Sequence, residues 1–378
     1  MNVFDNPFFV IFTLTGLLYF WGGESSLLLA KPFSPMRSTA SPVIPAFDPI
    51  AGSINYSSYN VSRSSEVRQT AESVDESAKN IFCVMSFNAF GPWYARNLET
   101  RSDALASYIE SSPCGVLLFQ EVWLSSHFEN LSVVLERLGF HVGEFSSYTR
   151  PYNTGLLTAV SKSLSKAPPR YSGHRFSTNY SGLFDQVRKW SGIGKGVGAA
   201  DFMIDGRDGE SKRVVAFNVH LHHGSKSIRK VQLSEVMEFV KDTLKSQAQG
   251  KDDLYTLMDG SLVVIGGDFN ISHGSDEYMS RLKPLMSAFD TGSLLKRDAA
   301  LSLVGKLGNE NGASLVQGEF PLCTMCSENP YVLPFVGDKM IDYVFWSGAI
   351  ELRYAFIPNK HQDVFLSDHH GVTVWLEF

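Results

Sequence analysis

The apolar residues follow different patterns on the two sides of residue 80. From Ile81 onward, short apolar runs rich in β-branched residues alternate with stretches in which apolar residues recur at helical spacing, which predicts strands and helices sharing a core. Strands are predicted at 81–88, 115–120, 154–160, 197–204, 214–221, 261–269, 340–346, 352–357 and 371–378. Helices are predicted over 98–111, 128–138 and 228–244, the second ending at Gly139. Because strands and helices do not alternate strictly, we expect packed sheets covered by helices.

Residues 1–80 contain one apolar run followed by a stretch rich in Ser and Pro. The uncharged run from Phe8 to Trp21 suits the core of a signal peptide and is short for a membrane span, which needs about 20 residues. Residues 1–30 are therefore expected to be a signal peptide or an uncleaved anchor, with a buried helix as a further alternative. Residues 31–80 hold 11 Ser and 5 Pro and are expected to be a linker. We expect a protein that is secreted or held at the extracellular side of a membrane.

The composition excludes several classes of protein. With 44% hydrophobic and 19% charged residues, the 378-residue chain can bury a core and is not mostly disordered, collagen-like or a polytopic membrane protein. Its 39 acidic and 33 basic residues argue against a nucleic-acid coat, because phosphate backbones attract Lys and Arg. They do not exclude an enzyme that handles phosphodiesters through a metal.

The four cysteines are too few for a disulfide scaffold. Cys323 and Cys326 form a CxxC without a second pair, so a short-loop disulfide or two thiols are expected instead of a zinc site. Cys83 and Cys114 lie at the starts of predicted strands, where buried thiols are expected.

Polar residues stand at the ends of the most apolar predicted strands. They are Asn88, Glu121, His220, Asp268, Asn270, Asp368 and His369, and Asp342 lies within a further strand. Taken singly, each is explained as a turn residue, a charge at a helix start or a core histidine. Taken together, they indicate one site, because a buried carboxylate without a partner costs several kcal/mol. A shared cation or imidazolium would satisfy several of them at once.

The ligand types indicate a hard cation. Carboxylate and amide oxygens without thiolates favour Mg²⁺, which keeps waters and takes substrate phosphate oxygens and therefore needs few protein ligands. The two histidines are then expected to act as acid/base groups. This layout is the one expected for hydrolysis of a phosphate ester.

The motifs SFN, QEV, GDFN, DYVF and SDHHG occur in this order, and the chain resembles the endonuclease/exonuclease/phosphatase superfamily over residues 81–378. The resemblance implies one α/β catalytic domain, a four-layer sandwich in which two packed mixed β-sheets are flanked by helices in the DNase I-like arrangement. It also implies that Glu121 is the principal Mg²⁺ ligand, with Asn88 beside it. Asp268 and Asn270 would orient the attacking water or hold the phosphate.

The same resemblance implies roles for the remaining polar residues. His369 would be the general base, oriented by a hydrogen bond with Asp342 that fixes the imidazole tautomer. Asp368 would help at the metal or the phosphate. His220 would stabilise the pentacoordinate state or assist the leaving oxygen.

Three segments resemble neutral sphingomyelinases, which are phospholipases C. They are SGIGKGVGAADF at 191–202, PYNTGLLTAVSKSL at 151–164, and FNVHLHH with the helix that follows it. Lys195 in the first segment is a candidate phosphate-binding residue. Aromatic residues in 175–190 and 318–337 would either enter a lipid headgroup layer or fill the core.

We therefore expect a Mg²⁺-dependent phosphodiesterase that hydrolyses sphingomyelin to ceramide and phosphocholine at a membrane surface, without an obligate protein partner. The alternative is a nuclease of the same fold acting on DNA or RNA, which the acidic composition disfavours. An inositol-phosphate phosphatase is disfavoured because IGGDFNIS lacks the Trp and Arg of that group. An inactive binding homologue is disfavoured because all six polar motifs are present, namely the five named above and FNVHLHH with His220.

Overall fold

The computed structural model describes ten stretches of the chain. They are 81–92, 94–143, 154–178, 194–205, 209–245, 260–287, 323–333, 335–347, 350–357 and 360–377. The expected signal peptide or anchor at 1–30 and the expected linker at 31–80 lie outside the described residues. Within the ten stretches, no helix has both the length and the apolar character needed to cross a membrane.

The first sheet is mixed and has six strands. They are β1 (Ile81–Asn88), β2 (Val116–Gln120), β3 (Phe140–Gly143), β4 (Leu157–Ser161), β10 (Ile350–Ile357) and β13 (Gly371–Glu377). Their spatial order is β10-β13-β1-β2-β4-β3. The central strands β1 and β2 run parallel, and the other neighbours are antiparallel.

The second sheet is also mixed and has five strands. They are β5 (Arg170–Arg175), β6 (Gly196–Asp205), β7 (Ser211–His220), β8 (Ser261–Asp268) and β9 (Asp342–Ser347), in this spatial order. Strands β7 and β8 are parallel, and the remaining pairs are antiparallel. A separate two-stranded hairpin consists of β11 (Lys360–His361) and β12 (Val364–Phe365).

Helices cover the outer faces of both sheets. They are α1 (Leu98–Glu110), α2 (Ser125–Arg137), α3 (Lys226–Lys245), and a π-helical turn at Tyr278–Leu282 that continues into α4 (Lys283–Ser287). One apolar cluster joins α1 and α2 to the first sheet, and another joins α3 and the π-helical turn to the second sheet. A third cluster lies between the two sheets. The resulting order of layers, helix–sheet–sheet–helix, confirms the predicted four-layer sandwich.

The buried central strands were predicted within a few residues of their observed bounds. The short or polar strands β3, β5, β11 and β12 were not predicted. Strand β3 is short, and β5 (RYSGHR) is polar and mostly half-buried, so neither produces a run of apolar residues. The hairpin β11–β12 has two residues in each strand. Asp342, which was predicted to lie inside its strand, is the first residue of β9.

The strand directions explain why polar residues collect at one edge. Asn88 ends β1, and His220 and Asp268 end the parallel strands β7 and β8 as register partners. Asp342 begins the antiparallel strand β9 directly opposite Asp268. Since a parallel strand ends where its antiparallel neighbour begins, all these side chains occupy the same edge of the sandwich.

A glycine permits the close approach of β7 and β8 just before this edge. Gly267 has a φ of 152°, and a Cβ at this position would lie 1.9 Å from the carbonyl oxygen of Val219. No other residue type fits here without moving the strand. The GGD sequence is therefore a packing requirement that sets the position of Asp268.

The expectation that Cys83 and Cys114 are buried thiols was wrong, because the two residues form a disulfide. Cys83 lies on β1 and Cys114 precedes the neighbouring strand β2, so strand pairing brings the two sulfurs together. Cys323 and Cys326 form a second disulfide, which is one of the two alternatives left open by their spacing.

A buried histidine makes the fold sensitive to acid. His127 on α2 is 3% exposed, and its burial, together with the charge of Arg101, lowers the pKa of the imidazole to about 4. The folded state therefore binds fewer protons than the unfolded state between pH 6.5 and pH 4, and stability falls as the pH drops through this window. Through this histidine, lowering the pH from 7 to 5 should reduce the free energy of unfolding by about 2 kcal/mol.

We predict that His127→Gln loses about 2 kcal/mol less unfolding free energy between pH 7 and pH 5 than the unchanged protein does. Urea denaturation at the two pH values measures this difference. His223→Gln, which replaces an exposed histidine, serves as the control and should keep the full acid sensitivity. An equal loss in all three proteins would contradict the assignment to His127.

Candidate active site

The site forms where the polar edges of the two sheets meet. Asn88 Nδ2 donates a hydrogen bond of 3.1 Å to Asp268 Oδ2, which joins β1 of the first sheet to β8 of the second. Asn88 Oδ1 accepts a hydrogen bond from the backbone N–H of Phe90 at 3.0 Å. Both side chains are almost completely buried, so the contact fixes the relative position of the two strand ends.

His220 lies between two carboxylates and a lysine. Its Nε2 is 3.4 Å from Asp268 Oδ2 and 3.6 Å from Glu121 Oε1, and Lys195 Nζ contacts the same nitrogen. Lys195 Nζ is also 3.8 Å from Glu121 Oε1. Burial, followed by the charge of Lys195, lowers the pKa of His220. The imidazole is therefore neutral beside a charged ammonium group.

Asp268 is an ionised carboxylate inside the protein. Burial by itself would raise its pKa, but the contact with His220 and the charges of His369 and Lys195 outweigh burial and hold the pKa below its usual range. Asp268 Oδ1 accepts a hydrogen bond from the backbone N–H of Asn270 at 2.9 Å. Asn270 Nδ2 in turn donates to the carbonyl oxygen of Leu221 at 2.9 Å. Asn270 therefore ties the loop after β8 to the end of β7.

His369 and Asp342 form a buried pair that spans the two sheets. His369 Nδ1 lies 2.8 Å from Asp342 Oδ2, and His369 Nε2 lies 3.9 Å from Asp368 Oδ1. Burial would lower the pKa of His369, but the charges of Asp342 and Asp368 raise it well above the usual value. Burial also raises the pKa of Asp342, and it raises the pKa of Asp368 to about 7.

The structure thus brings all nine predicted site residues to one edge of the sandwich. Direct contacts join one group, which consists of Asn88, Glu121, Lys195, His220, Asp268 and Asn270, and a second group, which consists of Asp342, Asp368 and His369. The two groups meet where ligand atoms of Asp268, Asp342 and His369 lie within 4.8 Å of one another. The chemical roles assigned to these residues stay predictions. The left-handed backbone of Glu121, with a φ of 61°, marks the turn that follows β2 at this edge.

Sequence reasoning missed two residues that support the site. Ser367 Oγ donates to the carbonyl oxygen of Asn88 at 2.6 Å and accepts from the backbone N–H of His369 at 3.1 Å. Arg101 on α1 is 1% exposed, and its Nη2 donates to the carbonyl oxygens of Ala89 and Phe90. The SDHHG motif contained a signal for Ser367, whereas Arg101 lies in an ordinary amphipathic helix.

Comparison with known proteins identifies the family. Residues 85–369 match the model of the Endonuclease/Exonuclease/phosphatase family. The chain belongs to this family. It is accordingly a phosphoesterase, as the superfamily resemblance implied. No curated protein matches the sequence significantly.

Solved structures show the same fold at low sequence identity. The endonuclease/exonuclease/phosphatase from Bacteroides vulgatus has a TM-score of 0.53 at 16% identity and covers 79% of this chain and 100% of its own. TDP2 from Caenorhabditis elegans has a TM-score of 0.52 at 19% identity, with 86% and 82% covered. The human Nocturnin catalytic domain with bound sulfate anion has a TM-score of 0.50 at 13% identity, with 79% and 94% covered.

The side chains of this family member fit a divalent cation. Ligand atoms of Asp268, Asp342 and His369 all lie within 4.8 Å of one another, and this buried group could bind a metal. Asp342 Oδ1 is buried without a hydrogen-bond partner among the described residues. Because the donors are mainly carboxylate oxygens, the set suits Mg²⁺. Glu121, whose side chain is 19% exposed, and Asn88 lie beside this group and are the ligands expected from the sequence.

We predict that His369→Ala lowers kcat for a soluble phosphodiester, bis(p-nitrophenyl) phosphate, by about 10²–10⁴-fold, because the imidazole is expected to supply acid–base catalysis. Glu121→Gln should raise the Mg²⁺ concentration needed for half-maximal activity. The measurement is steady-state kinetics with Mg²⁺ titration. His223→Ala, at an exposed histidine, is the control and should be fully active. Full activity of His369→Ala would exclude the assigned site.

Proposed function

We propose that the protein is a Mg²⁺-dependent phosphodiesterase of the sphingomyelinase type, which hydrolyses sphingomyelin to ceramide and phosphocholine. The proposal combines the catalytic geometry with the surface around it. The observation that carries the lipid substrate is a group of exposed apolar and aromatic side chains next to the buried polar site. Nucleic acid is disfavoured as the substrate because the chain carries a net charge of −6.

The buried groups supply the parts that hydrolysis needs. In its neutral form, which the positive charge of a bound cation would favour, His369 would accept a proton from the attacking water. Asp342 would hold the ring, and the nearby carboxylates would stabilise the imidazolium that results. The bond between phosphorus and the ceramide oxygen would then break, and this oxygen would take a proton from the pair of Lys195 and His220. Mg²⁺, when bound by Glu121 and Asn88, would neutralise charge on the phosphate.

A rim of apolar and aromatic residues follows two residues of the site region along the chain. Phe90 and Tyr94 follow Asn88, and Tyr331, Leu333 and Phe335 follow Asn329, which is hydrogen-bonded to Ser367. Phe90 lies two residues beyond Asn88, and its ring centroid is 6.0 Å from that of Tyr331 and 6.4 Å from that of Tyr94. Tyr94, Leu333 and Phe335 are 59%, 53% and 59% exposed. Large exposed apolar side chains around a cleft are typical of a surface that contacts lipid.

The two segments that were expected either to contact lipid or to fill the core differ in the structure. Phe176 is buried in the core and cannot enter a headgroup layer, whereas Leu333 and Phe335 are exposed. Tyr180, Phe184, Trp190 and Phe320 lie outside the described residues. The rim therefore depends on the segment after the Cys323–Cys326 disulfide and on the loop after β1.

The two disulfides support a location outside the reducing cytosol, because disulfides persist in oxidising compartments. The predicted signal peptide or anchor at residues 1–30 supports the same location. We therefore propose that the protein acts in secreted form or at the extracellular side of a membrane.

A substrate panel tests the proposed function. The full-length protein is incubated with sphingomyelin vesicles, phosphatidylcholine vesicles, DNA and inositol phosphates, with Mg²⁺ or with EDTA, and His369→Ala serves as the inactive reference. We expect the protein to release phosphocholine and ceramide from sphingomyelin when Mg²⁺ is present, and to release neither product in EDTA. Nicking of DNA with sphingomyelin untouched would support the nuclease alternative and reject the lipid substrate.

We predict that replacing the rim residues Leu333 and Phe335 with Ser lowers activity on sphingomyelin vesicles by about tenfold or more, because each lost apolar contact weakens adsorption to the membrane. Activity on bis(p-nitrophenyl) phosphate should stay unchanged. Co-sedimentation with vesicles measures binding directly. Val133→Ser on α2, at a valine that is 63% exposed, is the matched control. Equal losses on both substrates would show that the rim acts on the site and not on the membrane.

A further inference from the structure

A buried threonine connects two elements that carry the histidine–aspartate pair. Thr324 lies between Cys323 and Cys326, which the disulfide joins, and Thr324 is fully buried. Its Oγ1 accepts hydrogen bonds from the backbone N–H groups of Ile341 at 3.0 Å and Asp342 at 3.2 Å. A single hydroxyl therefore holds the backbone at the first residue of β9.

The same residue also binds the loop that carries His369. The carbonyl oxygen of Thr324 accepts a hydrogen bond from the backbone N–H of His370 at 2.6 Å. Thr324 thus contacts the backbone of Asp342 on one side and the residue next to His369 on the other. Its contacts link the aspartate and the histidine independently of their own side-chain hydrogen bond.

Strand pairing alone does not set the distance between Asp342 and His369. Asp342 begins a strand of the second sheet, whereas His369 precedes β13 of the first sheet. Two sheets that pack face to face can shift relative to each other, because the apolar contacts between them are not directional. A hydrogen-bonded link between the two sheets removes that freedom at this edge.

Further contacts hold the turn itself in place. Thr324 N and Met325 N both donate to the carbonyl oxygen of Lys339, at 2.8 and 2.9 Å, and Lys339 N donates back to Met325 O at 2.8 Å. Asn329, three residues beyond the turn, donates through Nδ2 to the carbonyl oxygen of Ser367 at 2.8 Å. The turn is therefore anchored on both sides of the histidine–aspartate pair.

We propose that Thr324, held in the turn that the Cys323–Cys326 disulfide closes, is a positioning residue for the pair of Asp342 and His369. The proposal rests on the proposed function, in which His369 is the general base. Thr324 need not touch the substrate. It sets where the imidazole stands relative to the reacting phosphorus, and displacements of about 1 Å in such groups change rates by up to about 10²-fold.

Kinetics of matched variants test the proposal. Thr324→Val keeps the shape of the side chain and removes the hydroxyl, and we expect kcat for bis(p-nitrophenyl) phosphate to fall about 10–100-fold with KM changed less than about twofold. Thr324→Ser restores the hydroxyl and should recover most of kcat. Ser347→Ala is the control. Ser347 lies buried on β9, the strand that Asp342 begins, and its hydroxyl has no partner among the described residues. An unchanged kcat in folded Thr324→Val, or equal losses in Val and Ser, would overturn the proposal.

A second variant covers the case in which Thr324→Val does not fold. Replacing Cys323 and Cys326 together with Ala keeps the threonine hydroxyl and releases the turn. We expect a several-fold lower kcat with KM unchanged, smaller than the effect of the valine variant. A folded double variant with unchanged kcat would contradict the role of the disulfide-closed turn.

A spectroscopic measurement separates this proposal from the proposed function. The hydrogen bond between His369 Nδ1 and Asp342 Oδ2 should give a downfield imidazole N–H resonance, identified by its loss in His369→Gln. We expect Thr324→Val to shift or lose this resonance and Thr324→Ser to retain it, whether or not any substrate is hydrolysed. A resonance that is the same in Thr324→Val would overturn the proposal even if the enzyme is active.

Discussion

Four carboxylates come together at one edge of the sandwich, and the cost of burying their charges is the constraint on which the site depends. Asp268 and Asp342 are buried, Asp368 is largely buried, and Glu121 is partly exposed. Like charges at this distance in a medium of low dielectric cannot all stay ionised without compensation. Burial, and after it the charge of a neighbouring carboxylate, raises the pKa values of Asp342 and Asp368. Lys195 and the imidazole of His369 compensate in part, and a divalent cation would complete the compensation.

The remaining structure serves to hold these charges at fixed positions. Two parallel strand pairs end at the same edge, and the hydrogen bond between Asn88 and Asp268 crosses from one sheet to the other. Behind them, Ser367 and Thr324 bind backbone groups of the residues that carry the chemistry. These buried hydrogen bonds make the frame rigid, and rigidity is what electrostatic stabilisation of a transition state requires.

The surface next to the frame differs in character from the site itself. Within a few residues of Asn88 the chain changes from buried amides to exposed aromatic rings, with Arg101 packed beneath the rings of Phe90 and Tyr331. A charged site would suit the phosphate headgroup of a lipid, and an apolar rim beside it would suit the acyl tail. This pairing is the basis for our choice of a lipid over a nucleic acid.

The sequence by itself determined the core strands, the main helices and which polar residues stand at the strand ends. Apolar runs such as 81–88 and 261–268 are local signals, and polar residues at their ends are conspicuous because burying them is costly. Only the tertiary structure decided the edge strand β5, the pairing of Cys83 with Cys114, and the contacts of Thr324. These depend on which strands become neighbours, and the partner of a residue far away along the chain leaves no periodic pattern in the sequence around it.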